Sequence, residues 1–225
     1  MQKPSKTTGP GSLIRGGRLF LSGLASNPKA KKFGTQFRPL QLKLKTAQGR
    51  VIEADDEVVD AQGPFNEIHF RASEAVTDLQ LDATAAVRRD YRDPLYRALF
   101  PDGLTGLKKM TGKAFRGELP RLCGEIKKLG SDHSLRRHLG PLEELDKEWK
   151  GPAKALDEAE KGLATAKRHY ETARDEWVDG LVSTHGLMTA AFPRRQAFVE
   201  SFFPAWTQPS RKKGAPQGTT PANGG

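Results

Sequence analysis

Nine apolar residues in the last third of the chain, Ala153, Leu156, Ala159, Leu163, Ala166, Tyr170, Ala173, Trp177 and Leu181, follow one another in steps of three and four. Only an α-helix places such residues on one face. The stripe spans about 45 Å at 1.5 Å per residue. Small and large side chains alternate along it, so a neighbouring helix can approach at the alanines while Trp, Tyr and Leu fill the remaining volume. A chain holding this element is committed to helix-on-helix packing.

The earlier sequence repeats the pattern. Leu40, Leu44, Ala47, Val51, Ala54, Val58 and Ala61 alternate steps of four and three, a heptad-like stripe among charged residues. The same stretch, LQLKLKTAQGRVIE, also alternates like a strand, with Gln48-Gly49 as a turn. That rival survives three pairs where the helical lattice survives seven positions, so helix is favoured. Gly63-Pro64 marks a helix boundary. A second stripe follows at Ile68, Ala72, Ala75, Leu79, Ala83 and Ala86. A further helix begins near Thr105, with Leu107, Met110, Ala114, Leu122, Ile126 and Leu129 and a kink at Pro120. Leu135, Leu139, Leu142, Leu145 and Trp149 give the connector over 132–150 helical spacing.

Phe100-Pro101 and Phe192-Pro193 each follow the last turns of an expected long helical segment. Proline stops helical hydrogen bonding where the chain must turn, and the phenylalanines supply bulk to plug the open end of a bundle. The echo raises an internal duplication, but the halves align poorly otherwise. The expected fold is all-α: an antiparallel helical bundle of about four long helices plus short closing helices, over residues 35–204. Its hairpins fall at about 37–100 and 105–192. Residues 1–34 and 205–225, rich in Gly, Pro, Ser and Thr, are expected to be disordered basic tails.

The formal charge of +10 is unevenly placed. Residues 1–52 carry eleven Lys/Arg and no acid, whereas residues 53–204 carry 23 bases and 27 acids. Within that body, 53–93 is acidic and 105–130 is basic. The reading adopted is that the basic helix pairs with the acidic first hairpin, as flanking charges do in coiled coils. The alternative makes the basic helix a nucleic-acid face. The tails have no such internal partner, so Lys29, Lys31, Lys32, Arg211, Lys212 and Lys213 are candidate phosphate contacts, without sequence preference.

Catalytic patterns are missing. No Asp or Glu has a His three residues on, so the Glu-x-x-His pair of di-metal bundles is absent. GLKKMTGKAF, residues 106–115, has five residues between its glycines and Ala114 in place of the magnesium-binding Ser/Thr of a phosphate loop. No Gly-x-Ser-x-Gly elbow occurs. His69, His133, His138, His169 and His185 are scattered, and the single Cys123 lies in an apolar helical run, where it reads as a small packed residue.

No stretch approaches eighteen consecutive apolar residues. RLFLSGLAS, residues 18–26, is crowded by Arg15 and Arg18 and lacks a clean cleavage site, which leaves a cytoplasmic protein as the default. The expectation is a non-enzymatic structural or adaptor protein with no cofactor and no metal, acting through a protein partner or self-association. The alternative is an accessory nucleic-acid-binding protein working through its tails.

Overall fold

Gly63 and Pro64 lie inside a helix, not between two. The computed structural model describes residues 3–5 and 8–204. In it one continuous helix, α2, runs Lys31–Ala86, 56 residues long. Pro64 removes one backbone donor, at a local cost of about 3 kcal/mol or more. The buried face nevertheless keeps its phase across the Gly-Pro pair: Ala54, Phe65, Ile68, Ala72, Val76 and Leu79 are all buried. Burial of that unbroken stripe outweighs the lost hydrogen bond, so the expected boundary and the hairpin over 37–100 are both corrected. The strand rival at 40–53 falls as well, because those residues are helical and no strand occurs among the described residues.

Before α2 stands α1, Pro10–Ser26. Four shorter elements, α3, Pro94–Leu99, α4, Gly103–Lys108, α5, Gly112–Lys127, and a 3-10 turn, Ser134–His138, then lead to the second long helix, α6, Leu139–Ala191, 53 residues. α7, Gln196–Glu200, follows. The described chain is thus all-α, with two very long helices, two of intermediate length and short closing pieces. α3 and α6 stop at Leu99 and Ala191, each directly before a Phe-Pro pair. Phe100 is buried and Phe192 half-buried, each within an apolar cluster.

The expected tail over 1–34 is corrected: Pro10–Ser26 is helical and buries Leu13, Phe20 and Leu24. The face is diluted by Gly16 and Gly17, which hides its apolar period but lets α2 come close. The expected tail over 205–225 lies outside the described residues.

Where the sequence predicts one domain over 35–204, the chain divides into two compact units. The first comprises residues up to Gln48 and from Tyr170 onward, the second Gly49–His169. In the first unit α1, the opening of α2, the end of α6 and α7 surround Leu13, Phe20, Phe37, Leu44, Trp177, Leu181 and Met188. α2 and α6 are antiparallel there: Phe33 meets Phe192 at 6.4 Å between ring centroids, Phe37 meets Trp177 at 5.3 Å, and Lys43 pairs with Glu176 at 2.5 Å.

In the second unit the rest of α2 and α6 enclose, with α3–α5, a core of Phe65, Leu79, Leu99, Phe100, Phe115, Leu119, Trp149 and Leu156. The two long helices are again antiparallel, with Phe65 on Trp149 at 5.6 Å and Arg71 on Glu148 at 2.8 Å, and Asp82 meets His138, at the end of the 3-10 turn that leads into α6, at 2.5 Å. Thr111 separates α4 from α5, accepting a hydrogen bond from the Ala114 amide, so the basic stretch 105–130 is two helices.

Candidate interaction surface

Lys29, Lys31 and Lys32 lie at the turn between α1 and α2 and are exposed. The turn is set by Asn27, whose side-chain oxygen accepts from the Lys29 amide at 3.0 Å. Lys32 bends over the ring of Phe33, 5.2 Å from its centroid, a weak cation–π contact at an exposed site. Arg211, Lys212 and Lys213 lie outside the described residues.

Charge pairing in the second unit differs from the sequence-based expectation. Lys113 of α5 reaches Asp157 and Glu160, both at 2.7 Å, and Lys127 reaches Glu143 at 2.6 Å. These carboxylates hold the Lys113 and Lys127 ammonium groups above their ordinary pKa, chiefly through direct hydrogen bonds. Arg121 bonds its neighbour Glu118 and caps the carbonyls of Ala98 and Leu99. Among the described residues the basic stretch therefore forms its ion pairs with α6 and within itself, not with the acidic stretch 53–93. Asp82 is the exception in that stretch: it accepts from Arg137 and contacts His138, and the Arg137 hydrogen bond is the main reason its pKa is lowered.

The other acids of α2 are left facing outward. Ile52, Val59, Phe70 and Leu81 are 55, 66, 64 and 61% exposed. Their spacings are seven, eleven and eleven, and at about 100° per residue each such step returns within about 20° of its starting direction. The four residues thus form one outer stripe about 44 Å long at 1.5 Å per residue, on the side of α2 roughly opposite Phe65, Ala72 and Leu79. Asp55, Asp56, Asp60, Glu67, Glu74 and Asp78 flank it, and none makes an ion pair among the described residues. Between Glu53 and Val87 the only base is Arg71, which is engaged by Glu148. A shallow surface depression beside Phe70 is lined by Ser73, Glu74, Thr77 and Asp78.

Sequence reasoning followed the buried lattice and passed over this second one. The signal was present: large apolar residues at seven- and eleven-residue spacing, out of phase with the core stripe.

Cys123, His69 and His185 lie against neighbouring side chains. Cys123 is buried, and burial pushes its thiol pKa up, away from the reactive thiolate. His69 is half-buried between Phe115 and Trp149, at 5.2 and 5.7 Å between ring centroids. His185 meets the Phe203 ring edge to face at 5.0 Å between centroids, and desolvation lowers its pKa. Among the described residues no three His, Cys, Asp or Glu converge to hold a metal ion, and no helix is long and apolar enough to cross a membrane.

No family model, curated protein or solved structure matches the chain.

Proposed function

We propose that the protein is a non-enzymatic, cytoplasmic structural or adaptor component that works through protein–protein contacts, without a cofactor. The observation that carries this reading is the outer face of α2, where four large apolar side chains are exposed in register beside unpaired carboxylates. Scattered exposed apolar residues need no explanation, but an aligned, rimmed stripe is the composition of an interaction surface. A helix in a groove or a helix on a helix is recognised through anchors repeated at this kind of spacing. The heptad-like pattern of the long helices is in keeping with coiled-coil-type contacts.

The test is photo-crosslinking in cells with a photoreactive residue at Phe70 and, as a control, at Lys154, whose side chain is 78% exposed. The expected result is a discrete protein adduct from position 70 and none from position 154. Equal labelling of both, or no adduct from position 70, overturns the reading.

A second reading has one observation in its favour. The described part of the first unit carries twelve bases against five acids, a surplus that suits a polyanion. If Lys29, Lys31 and Lys32 contact phosphates, changing all three to Gln flattens the slope of log K against log salt by roughly three units, at about 0.9 per phosphate on duplex DNA. An unchanged slope removes those lysines from any nucleic-acid surface.

A further inference from the structure

We infer that the occupant of the outer face of α2 is a second copy of this chain, which presents the basic opening segment of its own α2. The inference rests on the reading just given and names the partner.

Charge decides what can cover the stripe. Six unpaired carboxylates lie alongside Ile52, Val59, Phe70 and Leu81, with no free base between Glu53 and Val87. The face cannot pair with itself, because that would bring two rows of carboxylates together as their hydration is reduced, and like charges so placed repel. Its partner must be an apolar helical surface bordered by cations.

The chain carries one. Lys31, Arg38 and Lys45 are all exposed and repeat every seven residues along the start of α2, which puts them on one side of the helix. Leu42, 64% exposed, stands between the last two on the same side. No acid occurs anywhere before Glu53, and among the described residues none of Lys31, Arg38 and Lys45 makes an ion pair; the neighbouring Lys43 does, with Glu176. Two helical surfaces in one sequence are thus complementary in charge, and the basic one offers Leu42 as apolar material to the Ile52, Val59, Phe70 and Leu81 of the other. Every copy is both donor and acceptor of the contact, so association closes into a dimer or propagates, according to whether the symmetry closes.

The experiment is sedimentation equilibrium of the purified full-length chain across a concentration series. The expected result is reversible, concentration-dependent self-association. Raising salt from about 0.1 M to about 1 M, which shortens the Debye length from about 10 Å to about 3 Å, weakens it. Phe70→Glu weakens it at least about tenfold, as loss of a central aromatic anchor does. Phe70 is exposed, so circular dichroism of that variant shows an unchanged helix signal and confirms that folding is intact. Lys31→Glu, Arg38→Glu and Lys45→Glu together abolish association, and adding Asp56→Lys, Glu67→Lys and Glu74→Lys to the same chain restores it.

Deleting residues 205–225, which include Arg211, Lys212 and Lys213, leaves association unchanged. Loss of association on that deletion names the C-terminal segment as the occupant and overturns the inference. A monomer at all concentrations also overturns it, and so does failure of the reciprocal charge reversal to restore binding. In either case a crosslink from position 70 to a different protein in cells keeps the adaptor reading, whereas no crosslink ends both.

Discussion

Trp177 donates its indole N–H to the side-chain oxygen of Gln41 at 2.7 Å, and both residues are buried. The Gln41 amide nitrogen in turn donates to the Ile14 carbonyl at 3.1 Å. One polar side chain on α2 thereby ties α1 to α6 within the first unit. Gly17 makes the space: a Cβ built there would stand 1.7 Å from the Gln41 side-chain oxygen. A buried amide is expensive unless its bonds are made, and here both are made by partners from different helices.

That arrangement fixes two outcomes. Trp177→Phe leaves the Gln41 oxygen without its donor and costs about 1–3 kcal/mol for the unsatisfied group, in addition to the lost ring volume. Gly17→Ala forces the glutamine aside and costs on the order of 1–3 kcal/mol as an overpacked site. Denaturant unfolding of the two variants checks both. No loss in Gly17→Ala would mean that α1 is not held against α2 as described.

Leu156 and Leu163 share the stripe from which α6 was read, but they are not equivalent. Leu156 is 2% exposed, whereas Leu163 is only half-buried. Leu156→Ala is expected to cost about 2–5 kcal/mol and Leu163→Ala less than about 1 kcal/mol, measured by thermal or chemical unfolding. Equal losses would place Leu163 in a core.

α2 ends through two arginines with positive φ, Arg88 at 50° and Arg89 at 65°. The Arg89 amide donates to the Thr84 carbonyl at 2.9 Å, closing the helix end. Left-handed backbone is costly for residues with a Cβ and free for glycine. Arg89→Gly is therefore expected to raise stability by about 1 kcal/mol, read as an increase in Tm. A decrease would show that the arginine side chain matters more than its backbone.

Asp82 gives a pH dependence with a definite sign. Its folded-state pKa is lowered from 3.8, first by the Arg137 hydrogen bond and then by His138. A depressed carboxylate contributes stability above its unfolded pKa and loses it as pH falls through the folded value. Tm plotted against pH should fall on the acid side below about pH 4, and Asp82→Asn should show a shallower fall. Identical acid limbs would mean that Asp82 titrates alike folded and unfolded.

The helical period of α2 and α6 was plain in the sequence because burial writes a regular apolar lattice: the core residues Ala54, Ala72, Leu79, Leu156, Trp177 and Leu181 all lie on it. Gly63-Pro64 misled because its local preference is real, yet the phase from Ala61 to Ile68, seven residues on, already showed a single helix. α1 was hidden by its glycines, which carry no hydrophobic signal, although Gly17 is what leaves room for Gln41 of α2. The pairing of the charges was not legible at all. Which acid Lys113 meets depends on how α5 lies against α6, and that is set by Phe115, Leu119 and Trp149 in the core, not by charge.

The account turns on the outer face of α2 meeting the basic segment of another copy. A zero-length carbodiimide crosslink between carboxylates and lysines, applied to an equal mixture of light- and heavy-isotope protein, reads this directly. Lys43–Glu176 and Lys113–Asp157, at 2.5 and 2.7 Å, serve as internal controls and must appear only as single-isotope pairs. Mixed-isotope peptides joining Lys31 or Lys45 to Asp56, Glu67 or Glu74 are the predicted result. Recovery of the control pairs with no mixed-isotope link to the α2 carboxylates would contradict it.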